Sequence, residues 1–516
     1  MTFSRICNHS LCLLLLAAGG ASARADARLP RILSDHMVLQ RDVAVPVWGW
    51  ADPGEEVVVA FAGQTKTTKA GGDGRWMVRL DALKAGGVQT LTVKAKNTIE
   101  VKDVLVGEVW LASGQSNMGM TVSRARDFEK EKAAASDAEI RMFQTPIRTA
   151  RSPLDDCEGK WVVCSPETVG GFSATAYFFG RELRKSLGIP VGLINTSYGG
   201  TPIEAWISLE SQKSRPEFAN LLAEWDKRAV TYDPSRAMAA YQKQLAAHKK
   251  RVADAKAQGK QAPRAPRKPV DPRDEQHHPA VLYNAMIAPL APYAVRGAIW
   301  YQGESNCGRE MREPLYGLQL RTLVAEWRGK WGQGDFPFAW VQLPNYDAGG
   351  SGRGWSLVRE AMLDSLTLPN SGMAVAIDVG EPKDIHPKNK QEVGRRLGLW
   401  ARARVYGETI SYSGPLLAGC EVANGTITLT FKHADGGLRA GTGAGDSAAT
   451  LKGFEILDNH KKWLPASARI EGDKVVVSSP EVAAPVAARY DWGGNPAGNL
   501  YNGAGLPASP FRTEKR

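Results

Sequence analysis

Hydrophobic and polar positions change rhythm three times along the chain. Over residues 29–102 short alternating runs such as Val45, Val47, Val57, Val59, Trp76, Val78 and Leu80 are punctuated by Asp52-Pro53-Gly54 and Gly71-Gly72-Asp73-Gly74. This pattern predicts a small β-sandwich. Over residues 103–412 apolar runs alternate with helix-like stretches, which predicts an α/β sheet. The strand runs are 104–112, 191–195, 297–301, 338–343 and 373–378. Helices are expected over 174–187, stopped by Gly188, and over 391–405, where Val393, Leu397 and Trp400 share a face. Residues 413–516 return to strands and turns, a second β-rich region.

An insertion at about 210–279 interrupts the α/β part. Pro216 opens one helix, a second is expected near 241–256, and the proline-rich stretch over 261–269 cannot continue it. Residues 241–275 hold ten Lys or Arg against four Asp or Glu, a local excess of +6 within a chain total of +11. We read this as a solvated helical arm rather than a nucleic-acid surface, and expect it to overhang the sheet rim and shape a substrate cleft.

The remaining composition narrows the class. A chain of 516 residues with 43% hydrophobic content has ample material for large cores, and 53 Gly with 30 Pro argue against a pure helical bundle. The first 25 residues, with Arg5, Leu11, Leu13, Leu14, Leu15, Leu16 and then small residues, read as a signal peptide cleaved after Ala23 or Ala25. That implies a periplasmic or extracellular protein without a membrane anchor. An oxidising compartment permits disulfides, and Cys157 with Cys164 is the expected pair. The cysteine and histidine spacing contains no zinc pattern.

Candidate chemistry lies just beyond strand ends. Gly114-Gln115-Ser116-Asn117-Met118 follows the first core strand and holds a serine where a substrate reaches its Oγ. Position 118 being Met, this is not the G-x-S-x-G elbow. Gly199-Gly200 and Gln302-Gly303-Glu304-Ser305-Asn306 follow two further strands and offer backbone and amide donors for an oxyanion. Asp384-Ile385-His386-Pro387 follows a fourth. Among the seven histidines after the leader, His386 alone stands in the sheet domain, past a strand end and beside a carboxylate. A serine nucleophile needs such a base, and the base needs an orienting carboxylate.

Together these blocks resemble the sialate O-acetylesterase family of the SGNH hydrolases. Further likeness lies in Ser34 to Arg41, Gly199 to Trp206, Tyr283 to Ile287 and Gly505 to Arg512. The resemblance implies an SGNH-type, flavodoxin-like three-layer sandwich with a parallel sheet, flanked by β-sandwich regions. It implies Ser116 as nucleophile, His386 as base, and an oxyanion hole from Ser116, Gly199 or Gly200, and Gln302 or Asn306. Asp384 is the first candidate for the orienting carboxylate, Asp378 the reserve, and a Ser-His dyad the third option, because Lys383 occupies the position three before the histidine. The implied activity is metal- and cofactor-free release of acetate from O-acetylated carbohydrate, either sialic acid or a hemicellulose such as xylan or xyloglucan. Trp206, Trp300 and Trp355 are available as sugar platforms, but tryptophans buried in a core are the commoner explanation. A non-catalytic glycan-binding protein is the competing class, and a lipid esterase a third.

Overall fold

The structure is a computed structural model that describes residues 26–308, 312–350, 352–441 and 450–514. The expected signal peptide, residues 1–25, lies outside the described residues. Seven core strands are β1 (Thr98–Gly114), β2 (Ile140–Gln144), β3 (Lys160–Val163), β4 (Val191–Ser197), β5 (Gly297–Tyr301), β6 (Phe338–Gln342) and β7 (Ser371–Val375). Their order across the sheet is β7-β6-β5-β1-β4-β2-β3. All neighbours are parallel except β3, which runs antiparallel to β2.

The sheet is buried on both faces because helices cover each. The seven helices that matter below are α1 (Ser116–Gly119), α2 (Ala174–Leu187), α3 (Ala219–Val230), α4 (Pro234–Ala257), α5 (Tyr316–Trp331), α6 (Arg353–Asp364) and α7 (Lys390–Arg404). Trp110 and Ala112 of β1 join a core with Phe179 and Leu183 of α2 and Leu397 and Trp400 of α7. The alternate residues Val109 and Leu111 join the opposite core with Leu320 and Trp327 of α5 and Val358 and Met362 of α6. This is the period-two alternation of a strand dividing two hydrophobic layers. Helices α2 and α7 approach closely because Gly394 faces Phe178, where an added Cβ would lie 2.5 Å from the Phe178 Cβ.

The expected strands at 191–195, 297–301 and 338–343 and the helix at 174–187 match the observed elements within two residues. Helices α5 and α6 and the β2–β3 hairpin had no counterpart in the sequence reading. The expected boundary at residue 102 falls inside β1, a continuous strand of 17 residues. Its first half pairs with strand Gly86–Lys94 of the N-terminal region and its second half with β4 and β5. Val57, Val59 and Leu91 share one core with Trp327 and Tyr293. The C-terminal region keeps its own core around Ile427, Leu429, Val475 and Phe511.

One expectation is corrected here. Cys157 and Cys164 are both free and buried, and they belong to the two different cores on either side of the sheet. Strand β3 between them sends the thiols apart. Trp206, Trp300 and Trp355 are buried, at 0%, 0% and 4% exposure, the core placement that the sequence reading favours over a role as sugar platforms.

Candidate active site

Strands β4, β1 and β5 end level with one another: Ser197 pairs with Gly114 and Gly114 with Tyr301. Read in chain order as strands of a doubly wound sheet, β4-β1-β5-β6-β7 is the arrangement 2-1-3-4-5. Its switch point lies between β1 and β5, where a crevice opens beyond the carboxyl ends. Gly114 is necessary there. Its φ is 137° and an added Cβ would stand 2.1 Å from the Tyr301 carbonyl oxygen. The Gln115 N–H instead donates to that carbonyl at 2.9 Å, and the chain turns directly into α1 with Ser116 first.

The His386 Nε2 stands 2.8 Å from the Ser116 Oγ. Burial disfavours the charged imidazole and holds His386 below its usual value; the Asp384 carboxylate opposes this, and Lys390 and Arg124 reinforce it. Asp384 lies beside the base. Its Oδ1 accepts the His386 backbone N–H at 2.9 Å and stands 3.6 Å from Nδ1, beyond ordinary hydrogen-bond reach. Asp378 is committed elsewhere: both its oxygens meet the Arg396 guanidinium, at 2.6 and 2.8 Å, in a fork against α7. The reserve carboxylate therefore does not reach the histidine.

The oxyanion candidates divide. Gly199 presses on the serine, since a Cβ there would lie 3.2 Å from the Ser116 Cβ. Gly200, at φ 73°, continues the same turn. The Ser116 N–H occupies the first position of α1, where no intrahelical acceptor exists. The two side-chain amides are spent within the protein. Gln302 Nε2 donates to the Thr201 carbonyl at 3.0 Å and to Asn306 Oδ1 at 2.8 Å. Asn306 Nδ2 donates to Glu204 at 3.2 Å. Both amides are fully buried, and Asn306 Oδ1 also accepts the Ile203 N–H at 3.1 Å, so the pair is bonded into the segment that follows the glycine turn.

The sequence reading missed several groups around this centre. Gln276 and His277, at the end of the insertion, hydrogen-bond the carbonyls of Gly199 and Gly200 at 3.3 and 2.9 Å. They pin the glycine loop. Ser173 and Thr175, at the start of α2, donate to the carbonyls of Met118 and Asn117 at 2.6 and 3.1 Å and hold α1. A serine just before a helix is a signal for a cap, which Ser173 also provides to Ala176, yet nothing local shows that it grips a second helix.

A cleft of about 1660 Å³ runs from Tyr198 and Gly199 to the insertion, whose Tyr232, Arg236 and Lys268 line its far wall. The insertion thus forms one wall of this cleft. Helix α4 buries none of its residues, in keeping with a solvated arm. Among the described residues no helix is long and apolar enough to cross a membrane.

Known proteins align with this architecture. The family model described as "Carbohydrate esterase, sialic acid-specific acetylesterase" matches residues 106–257 and 274–401. The break between the two matched segments falls on the proline-rich strap of the insertion. Sialate O-acetylesterases of Mus musculus and Homo sapiens are each 31% identical to the chain over 97% of its length, covering 96% and 95% of theirs. A carbohydrate acetylesterase from Xanthomonas citri superposes with a TM-score of 0.80 at 38% identity, over 95% of this chain and 100% of that one. The chain belongs to the sialate O-acetylesterase family and is an ester hydrolase.

Proposed function

We propose that this protein is a secreted carbohydrate O-acetylesterase of the SGNH type, with Ser116 as nucleophile and His386 as general base. The observation that carries the reading is the 2.8 Å hydrogen bond between the two side chains at the sheet switch point. His386 takes the Ser116 proton as Oγ attacks the acetyl carbonyl, and the tetrahedral oxyanion forms against the N–H groups of Ser116 and Gly199. Collapse expels the sugar hydroxyl, which receives that proton from His386. Water then attacks the acetyl-serine with His386 again as base, and acetate leaves. Asp384 orients the imidazole through the backbone N–H and, once the ring is charged, through Nδ1. Every group is supplied by the chain.

The substrate class is an O-acetylated sugar, sialic acid or an acetylated hemicellulose such as xylan or xyloglucan. The cleft beside Gly199, walled on its far side by the insertion, leaves room for a substrate longer than a monosaccharide. We read the chain as a leader over 1–25, an N-terminal β region over 29–102, a catalytic unit over 103–412 and a C-terminal β region over 413–516. The test is acetate release from O-acetylated sialic acid, xylan and xyloglucan, side by side, for wild type and Ser116→Ala. The expected result is release from at least one glycan and a loss of roughly 10⁴-fold or more in the variant. Glycan binding with no release by wild type would overturn the enzyme mechanism in favour of a binding protein.

A further inference from the structure

Directly behind the serine lies a buried polar cluster that the ester-cleaving groups do not use. Asn117, next to Ser116, spends its amide on three elements. Its Nδ2 donates to Glu304 Oε1 at 2.5 Å and to the Ile385 carbonyl at 2.9 Å. Its Oδ1 accepts from Lys390 Nζ at 2.6 Å. Asn117 and Lys390 are 0% exposed and Glu304 is 7% exposed. The Lys390 ammonium also sits 5.1 Å above the Tyr301 ring. A lysine buried this deeply needs a reason, because a charge is removed from water for one hydrogen bond and a ring face.

The chain positions supply the reason. Ile385 immediately precedes His386, and Lys390 opens α7 four residues after it. Asn117 therefore ties the serine helix to the histidine loop on both sides of the base. Glu304 anchors the same amide to the end of β5. We propose that Lys390 is a positioning residue for ester hydrolysis: through Asn117 it locks the Ser116 helix against the His386 loop, and it places a cation behind the imidazole. This rests on the reading of Ser116 and His386 given above.

The electrostatics agree with that geometry. Burial pushes Lys390 down to about 7 and Glu304 upward, while the charges of Glu304, Asp384 and Glu381 support the ammonium and Arg124 opposes it. Around His386 the charged groups are Asp384, which favours the imidazolium, and Lys390 and Arg124, which disfavour it. A base must be neutral to accept the serine proton, so a cation on this side keeps it ready for that step.

The experiment compares wild type with Lys390→Met and with the charge-balanced pair Lys390→Met/Glu304→Gln, which leaves no buried unpaired carboxylate if the single variant fails to fold. The probes are a small aryl acetate, for kcat, KM and the pH profile of kcat/KM, and an organophosphonate that labels the reactive serine. The expected result in the folded variant is a kcat lower by about 100-fold, KM within about twofold, slower Ser116 labelling and an acid limb moved to higher pH. A folded variant with kcat within about twofold and an unmoved acid limb would assign Lys390 to packing alone and overturn the proposal, while wild-type Ser116 labelling left the esterase site standing. Labelling at a residue other than Ser116 would overturn both.

Discussion

Ser116 and His386 stand 270 residues apart in the chain and are joined by a 2.8 Å hydrogen bond from Oγ to Nε2. The bond exists because β1 and β7 run in the same direction and end on the same side of one sheet. Each following turn delivers its residue to a common rim, and the predictions below follow from what surrounds that pair.

The two aspartates near the base should separate cleanly. Asp384 is about half exposed and 3.6 Å from Nδ1, so Asp384→Asn should lower kcat/KM by about 100-fold or less, well short of the roughly 10⁴-fold seen for a fully buried orienting carboxylate. Asp378→Asn removes a partner from Arg396, whose side chain is 6% exposed. It should cost about 3 kcal/mol of stability with kcat nearly unchanged in the folded fraction. Steady-state kinetics beside thermal melts of both variants decide this.

The acid limb of kcat/KM should fall below pH 6.5. Activity requires neutral His386, and burial lowers the pH at which it gains its proton from the usual 6.5. A lowered value means the neutral base persists into more acidic solution, so rate is lost only as pH drops through that depressed midpoint. An acid limb above 6.5, measured with a neutral aryl acetate, would show another group in control.

Deleting residues 211–275 removes the far wall of the cleft but neither Ser116 nor His386. Hydrolysis of acetylated polymer should drop by more than hydrolysis of a small aryl acetate, and the comparison is a ratio of kcat/KM values for the two substrates. An equal loss on both would mean that the insertion supports only the glycine loop, through Gln276 and His277.

Arg359 is the seam between the catalytic sheet and the C-terminal region. Fully buried, it donates to the carbonyls of Leu343 and Pro344 on one side and of Gly493 and Gly494 on the other, at 2.6 to 2.9 Å. Burial brings its guanidinium down to about 9, with the Asp491 charge acting against that change. Arg359→Met should leave four carbonyls short of a donor and cost about 3 kcal/mol or more. Denaturant melts should then show the C-terminal region unfolding ahead of the sheet.

Some elements were legible because their signals are local. Helix α2 begins at a capping serine and ends at Gly188 with φ 68°, and both residues mark those ends in the sequence alone. Strand β5 is a five-residue apolar run with nothing to confuse it. Helix α5 escaped notice because it buries Gln319, Thr322, Glu326 and Arg328 as well as its apolar residues, which blurs the single hydrophobic stripe that periodicity detects. The Cys157–Cys164 pairing failed for a related reason. Seven residues of spacing say nothing about which side of a strand each thiol faces.

The sequence by itself determined the alternation of strands and helices, the short blocks carrying Ser116 and His386, and the family to which they point. Those are properties of neighbours along the chain, set by backbone preference and side-chain period. Only the tertiary structure decided that Asp384 and not Asp378 lies beside the base, that Gln302 and Asn306 bond into the segment after the glycine turn, and that Lys390 is buried against Asn117, the neighbour of the serine. Each of these turns on which partner a polar group meets once water is excluded, and a charge or amide takes its partner from residues the fold brings near, up to 273 positions away for Lys390 and Asn117.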